Sequence, residues 1–152
     1  MEFNEITISD TLTVKELELS DLELAFPVIG QLRTHLGFAE YLALVGEMKM
    51  NGYQVLCLFE GDQVVSYAGF AKGTNLYYGR HVWVYDLVTD QAKRGKGYGK
   101  LLLSCVEGLA RENSVECIAL SSRFVMESAH RFYENAMEYD KIGYVFKKDL
   151  QN

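Results

Sequence analysis

A glycine-rich basic loop, placed between an apolar segment and an amphipathic one, restricts the fold of this chain more than any other feature. Residues 82–89 are mainly apolar, residues 94–100 read Arg-Gly-Lys-Gly-Tyr-Gly-Lys, and residues 101–109 carry apolar side chains at helical spacing. This pattern predicts a strand, a loop and a helix. The free N–H groups and the dipole at the start of such a helix favour an anion. The loop therefore predicts a site for a phosphate-bearing molecule.

Periodicity and turn residues along the rest of the chain predict a mixed α/β fold. Hairpins between the central strands imply antiparallel neighbours, and the strand-helix-strand unit implies one parallel pair. We expect one domain over residues 1–152, with a mixed, mostly antiparallel sheet flanked by helices. The expected elements are strand 12–17, helices 22–32 and 39–50, strands 53–59, 64–71 and 82–89, helix 97–112, strand 115–121, helix 127–135, and a closing strand or bent hairpin at 139–147.

Two residues predict how the first helix begins. Ser20 is followed three residues later by Glu23, which is the spacing of a capping box and makes Ser20 the expected N-cap. Pro27 comes too late for the first helical position. It therefore predicts a kink or an irregular beginning.

Composition excludes several classes of function. The chain has 15 Lys and Arg against 21 Asp and Glu, a net charge of −6, which argues against a general nucleic-acid binder. Its acidity mildly favours a cationic amine as partner. The three cysteines lack metal-ligand spacing, and neither a secretion signal nor a run of transmembrane length is present in the sequence. We expect a cytoplasmic protein with reduced cysteines, no metal and no membrane contact.

The spacing within the loop decides among three phosphate-binding motifs. Gly95 and Gly99 are separated by three residues and Leu101 follows Lys100, whereas a nucleotide-triphosphate loop needs four residues and then a Lys-Ser or Lys-Thr pair. A dinucleotide fingerprint with Gly97 as its second glycine would need a third glycine at position 100, where the chain has lysine. The remaining arrangement, Arg94-x-x-Gly97-x-Gly99, resembles the Q/R-x-x-G-x-G/A signature of the GNAT superfamily of acyl-CoA-dependent N-acyltransferases.

The flanking strand and helix, the following strand and a helix containing Phe-Tyr-Glu at 132–134 are similar to the same family, so the resemblance covers nearly the whole chain. It implies that coenzyme A lays its pyrophosphate on backbone N–H groups and its pantetheine arm along a strand splayed by a bulge. Glycines 97 and 99 would then let the phosphates approach closely. Arg94 and Lys96 would add charge at the rim, although solvated surface cations explain them as well. The implied contacts are Leu87, Val88 and Thr89 through their backbone groups, and Arg94, Gly95, Lys96, Gly97, Tyr98, Gly99 and Lys100.

The resemblance also implies catalytic residues. Tyr133 aligns with the family's tyrosine near the CoA sulfur, where its hydroxyl would be the general acid. Asp86 lies just before the CoA-contacting segment, where relatives often carry an acidic residue that acts as base directly or through water. A carboxylate within an apolar strand is costly unless it is used or paired. A structural hydrogen bond to a neighbouring strand explains Asp86 equally well.

These observations indicate an acetyl-CoA-dependent N-acetyltransferase that transfers directly to a primary amine of a small molecule or peptide in a ternary complex. A non-catalytic acyl-CoA-binding or amine-binding module of the same fold is the alternative. The identity of the acceptor is left open. Several aromatic residues could line its pocket, but core packing or surface exposure explains them equally well. Dimers are common among relatives, which leaves a homodimer open. The aromatic candidates for the acceptor site are Phe38, Tyr41, Tyr77 and Tyr78, with His81 a weaker one.

Overall fold

A computed structural model describes residues 1–123 and 126–150, which divide into two compact units, Met1–Leu120 and Ser121–Asn152. The first unit contains a sheet with helices, and the second contains a short helix. The strands are β1 (Ile6–Thr7), β2 (Leu12–Glu16), β3 (Gln54–Glu60), β4 (Gln63–Asn75), β5 (Gly79–Thr89) and β6 (Cys117–Leu120). The helices are α1 (Phe26–Leu32), α2 (Phe38–Lys49), α3 (Tyr98–Glu112) and α4 (Glu127–Arg131), with a 3₁₀ helix at Leu19–Leu24 and a π-helical turn at Phe132–Ala136.

The six strands lie in the sheet in chain order. Strands β1 to β5 pair antiparallel with their neighbours, and β5 pairs parallel with β6 after the crossover through α3. The expected mixed, mostly antiparallel sheet flanked by helices is therefore confirmed. The expectation of one domain over residues 1–152 stays a prediction.

Alternation along the strands gives the sheet two apolar faces. On one face the buried side chains of β3 and β4 join those of α1 and α2 in a single apolar cluster, which includes Tyr41, Val55, Cys57 and Tyr67. Helix α3 packs on β3, β4, β5 and β6 and buries its own apolar stripe, as its amphipathic spacing predicts. The sheet is thus the middle layer of the first unit.

A bulge interrupts β5 next to the point where its pairing with β6 ends, in the strand where the family resemblance implies one. Gly69 of β4 pairs with Asp86, but the next residue, Phe70, pairs with Val84, so Tyr85 is the extra residue. The pairing of β5 with β6 runs only from His81 to Val84. From Asp86 to Thr89, β5 is therefore paired with β4 alone, and no other strand of the described residues pairs with its second backbone edge.

The chain enters its first helices differently from the capping-box prediction. The 3₁₀ helix begins after Glu18 and lacks a side-chain cap, so Ser20 as N-cap was wrong. Helix α1 then starts anew at Phe26, which places Pro27 at its second position. Proline is tolerated there because the N–H that it lacks has no helical acceptor in the first turn. The irregular beginning expected from Pro27 is confirmed.

The closing strand expected at residues 139–147 was also wrong. None of these residues belongs to a strand, and the apolar side chains of Ile142, Tyr144, Val145 and Phe146 are exposed. These residue types are common in strands, but β propensity acts only where a neighbouring strand supplies backbone partners and packing. No such pairing forms here within the described residues.

Gly69 creates the space for a buried aromatic side chain. A Cβ built on Gly69 would overlap the hydroxyl and ring of Tyr53, whose side chain crosses β4 at this point. Tyr53 is 4% exposed and belongs to the apolar cluster under α1 and α2. The absence of a side chain at position 69 therefore fixes where the Tyr53 hydroxyl lies.

We expect Gly69→Ala to lower the free energy of unfolding by about 1–3 kcal/mol, because the added methyl group displaces the Tyr53 ring in a packed core. The matched control is Gly46→Ala in α2, where an added Cβ meets no atom within 4 Å. That change should raise the free energy of unfolding by about 0.5–1 kcal/mol, because alanine loses less backbone entropy in a helix. Urea unfolding of both variants checks this, and equal stability of Gly69→Ala and the parent protein would contradict it.

Candidate active site

The glycine-rich loop turns sharply into α3. Gly95 and Gly97 have φ values of +83° and +79°, and Gly97 is the N-cap of α3. Side chains are strained in this left-handed region, so both positions favour glycine for their backbone alone. A Cβ on either glycine would meet no protein atom within 4 Å. The loop therefore leaves open space in front of the first N–H groups of α3.

Glu60, at the end of β3, holds the loop in place. Its Oε1 accepts a hydrogen bond from Lys93 Nζ and its Oε2 accepts one from the Tyr98 hydroxyl, both at 2.6 Å. The bonds to Lys93 and Tyr98 lower the pKa of Glu60. Lys93 is thus engaged within the protein, whereas Lys96 and Lys100 are exposed at the loop.

Gln31 of α1 fixes the chain where it leaves β5. Its side-chain oxygen accepts a hydrogen bond from the Gln91 backbone N–H at 2.9 Å, and its Nε2 donates to Asp90 Oδ1 at 3.2 Å. Asp90 also accepts from the Ala92 N–H at 3.2 Å. The loop is therefore held from both sides, by α1 and by β3, before it reaches its glycines.

The three β5 residues expected to contact pantetheine lie on the stretch that faces no strand. Val88 O accepts a hydrogen bond from Ser66 Oγ at 3.1 Å, and Thr89 O accepts one from Arg94 Nε at 3.2 Å. Val88 is buried and Leu87 is half-buried, which agrees with core packing for their side chains.

Asp86 lies directly after the bulge and is already hydrogen-bonded on both oxygens. Arg33 Nε donates to its Oδ1 at 2.8 Å and the Tyr53 hydroxyl donates to its Oδ2 at 2.6 Å. Arg33 also donates from Nη2 to the carbonyl of Tyr85, the bulged residue, at 2.8 Å. The carboxylate is 11% exposed. Since an ionised carboxylate has about four acceptor positions, it can accept further bonds.

A chain of buried tyrosines continues inward from Asp86. The hydroxyls of Tyr53 and Tyr67 lie 3.1 Å apart, and those of Tyr67 and Tyr41 lie 2.9 Å apart. Because the ionised Asp86 only accepts, Tyr53 donates to it and must accept from Tyr67, which in turn accepts from Tyr41. Burial raises the pKa of all three hydroxyls, and the charge of Asp86 raises that of Tyr53 further.

Tyr133 lies in the second unit, in the π-helical turn that follows α4. Its ring packs on Phe132 and Tyr139, at centroid distances of 5.3 and 6.1 Å, and its carbonyl accepts a hydrogen bond from the Tyr139 N–H at 2.7 Å. Burial raises the pKa of its hydroxyl. The hydroxyl therefore stays protonated at neutral pH and retains a proton to donate.

Sequence reasoning missed the partners that hold these groups in place. Glu60 and Gln31 are ordinary surface residues by sequence, and the pairing of Arg33 with Asp86 spans 53 positions. The strongest available signal was Gly69, because a glycine inside a strand often marks a bulge or a close approach by another group. Both occur here.

Residues 1–123 and 126–150 hold no group of three or more His, Cys, Asp or Glu side chains arranged to bind a metal ion. No helix within these residues has the length and apolar content needed to cross a membrane.

Comparison with known proteins decides the family. The model of the acetyltransferase (GNAT) family matches residues 17–139. The chain belongs to this family. It is 33% identical over 127 residues to a Bacillus subtilis (strain 168) protein named uncharacterized N-acetyltransferase YhdJ, and the match covers 83% of this chain and 89% of the relative.

Solved structures share the fold of this GNAT protein. The aminoglycoside N-acetyltransferase AAC(6')-Iy in complex with CoA matches with a TM-score of 0.81 and 11% identity, covering 96% of this chain and 100% of that one. The aminoglycoside acetyltransferase meta-AAC0020 from an uncultured soil metagenomic sample, in complex with sisomicin, matches with a TM-score of 0.79 and 18% identity, covering 95% and 100%. At these identities the likeness shows the fold alone. The family match and the Bacillus relative make this chain an acyl-CoA-dependent acetyltransferase.

The tyrosine chain predicts a specific loss of stability at high pH. Tyrosines ionise in the unfolded chain near pH 10, whereas the raised folded-state pKa keeps Tyr41, Tyr53 and Tyr67 protonated. The contribution of these hydroxyls to the free energy of unfolding is therefore complete below about pH 10. It is lost as pH rises further, by about 1.4 kcal/mol per pH unit for each hydroxyl. Tyr41→Phe should make this decline shallower by about that amount.

Urea unfolding at two values above about pH 10 measures the slope. The matched control is Tyr77→Phe, whose ring is 76% exposed in the folded chain, and it should keep the slope of the parent protein. Equal slopes of unfolding free energy against pH in Tyr41→Phe and Tyr77→Phe would contradict a raised folded-state pKa for Tyr41.

Proposed function

We propose that this protein transfers an acetyl group from acetyl-CoA to a primary amine of a small molecule or peptide, directly within a ternary complex. The observation that carries the proposal is the coincidence of three features at one end of β5. These are the strand edge without a partner, the open glycine loop at the start of α3, and the carboxylate of Asp86 just beyond the bulge.

The residues present fit coenzyme A. Pyrophosphate oxygens accept hydrogen bonds, and the loop 95–100 offers backbone N–H groups around two left-handed glycines. The exposed cations Arg94, Lys96 and Lys100 would add positive charge there. Backbone groups of Leu87, Val88 and Thr89 would hold the pantetheine arm as an additional strand. Gly97 and Gly99 at the helix start would let the phosphates come close, and Tyr98 is held beside them by Glu60.

The chemistry requires removal of a proton from the amine and a proton for the leaving thiolate. Acetyl-CoA, when bound, supplies an activated acetyl thioester. We assign the first role to Asp86, whose carboxylate keeps acceptor capacity beyond its bonds to Arg33 and Tyr53. We assign the second to Tyr133, whose hydroxyl remains protonated because burial raises its pKa.

The setting is proposed to be a reducing cytoplasm, which agrees with the free thiols of Cys57, Cys105 and Cys117. A small-molecule amine as acceptor is consistent with the fold neighbour solved in complex with sisomicin. A homodimer stays a prediction.

Release of free CoA thiol from acetyl-CoA in the presence of a panel of primary amines tests the function. We expect turnover with at least one amine. Tyr133→Phe should lower turnover by about a hundredfold or more while CoA affinity is nearly kept, because the change removes one proton donor and retains the ring. Tight CoA binding without turnover on any amine would contradict the enzyme and favour a binding module.

Asp86→Asn, measured in the same assay, separates the two interpretations of that residue. As the base, Asp86 should be needed for turnover, and the loss should persist at temperatures well below the unfolding transition. If the variant unfolds at lower temperature but keeps full turnover when folded, Asp86 only anchors Arg33 and Tyr53.

A further inference from the structure

Four aromatic rings form a continuous row along β5 that ends at Asp86. Tyr78 lies against Trp83, Trp83 against Tyr85, and Tyr85 against Tyr53, with ring centroids 6.1, 6.5 and 6.0 Å apart. The hydroxyl of the last ring, Tyr53, donates a hydrogen bond to Asp86. The row therefore starts at the hairpin between β4 and β5 and ends at the bulge.

The neighbours of this row are small. Trp83 is paired with Ala71 on β4 and with Ala119 on β6, and paired residues on adjacent strands point to the same side of a sheet. The indole thus stands between two methyl side chains. Tyr85 is 48% exposed. The row presents ring surface that the described residues of the first unit do not fully cover.

The carboxylate at each end of the row is already paired with an arginine. Asp86 is paired with Arg33 at 2.8 Å, and at the other end Glu116 is paired with Arg80 at 2.7 Å. A polycationic amine needs carboxylates that are free to pair with its several charges. A monoamine with an aromatic substituent needs only ring surface and one polar end.

We propose that the acceptor is a primary amine carrying an aromatic ring, bound with its ring on Tyr85 and Trp83 and its amine toward Asp86. This assignment rests on the acyl transfer proposed above and names its substrate class. Ring-to-ring contacts stabilise such a complex through offset and edge-to-face geometry. Trp83 and Tyr85 then determine specificity, while Asp86 and Tyr133 perform the proton transfers.

The only tryptophan of the chain lies in this row, which gives a binding signal that does not depend on turnover. We would titrate 2-phenylethylamine, butylamine and spermidine into the CoA-saturated protein and follow Trp83 fluorescence. Each aromatic contact contributes about 0.5–1.5 kcal/mol, so 2-phenylethylamine should bind about tenfold or more tighter than the other two amines. Comparable or tighter binding of butylamine or spermidine would overturn the proposal.

Substitutions at one position test the placement of the ring. Tyr85→Leu should weaken binding of 2-phenylethylamine about three- to tenfold, and Tyr85→Phe should keep it, since only the ring is needed. Tyr77→Leu is the matched control, because Tyr77 contacts Tyr78 from outside the row at 4.8 Å. Unchanged binding in Tyr85→Leu, or equal weakening in Tyr77→Leu, would contradict the assigned site.

The thiol-release assay with the same three amines distinguishes this inference from the proposed function. Fastest release with 2-phenylethylamine supports both. Fastest release with spermidine would leave acyl transfer standing and overturn the aromatic acceptor. Saturable, Tyr85-dependent binding of 2-phenylethylamine without thiol release from any amine would keep the aromatic site and overturn the acyl transfer.

Discussion

The bulge at Tyr85 is the constraint on which the rest of the site depends. β5 has one extra residue directly after Val84, the last residue that pairs with β6, and it continues to Thr89 with one backbone edge that no other described strand pairs with. Arg33 stabilises this irregularity, because it donates to the Tyr85 carbonyl and to Asp86 together. Arg33 is also the C-cap of α1, so its hydrogen bonds hold the start of the connection between α1 and α2 beside the bulge. The strand edge proposed to bind coenzyme A and the residues proposed to bind the amine are thus both positioned by this bulge.

The core beneath the bulge explains why Asp86 tolerates its position. A carboxylate in an apolar strand is costly unless it is paired, and here Arg33 and Tyr53 each satisfy one oxygen. Tyr53 reaches it only because Gly69 lacks a side chain, and Tyr67 and Tyr41 extend the hydrogen bonds into the core. This arrangement gives Asp86 a structural role whatever its part in proton transfer. The two roles are compatible, because an ionised carboxylate has acceptor positions left.

The sequence predicted local features better than distant pairings. The loop 94–100, the amphipathic stripe of α3, the sheet class and the splay of β5 follow from short patterns and from the family resemblance. Ser20 failed as a cap because the chain forms a 3₁₀ helix and restarts at Phe26, where Pro27 fits. The strand at 139–147 failed because a strand needs a neighbouring strand as well as residues of high β propensity. The links from Glu60 to the loop and from Arg33 to Asp86 join distant positions, which no local pattern reveals.

Backbone amide shifts of ¹⁵N-labelled protein, recorded during titration with CoA, test the central claim most directly. If the splayed strand and the glycine loop together hold the cofactor, the largest changes fall at residues 95–100 and at Leu87, Val88 and Thr89. Largest changes elsewhere, such as in the groove between β1 and α3 that Phe3 and Cys105 line, would contradict the assignment of the site.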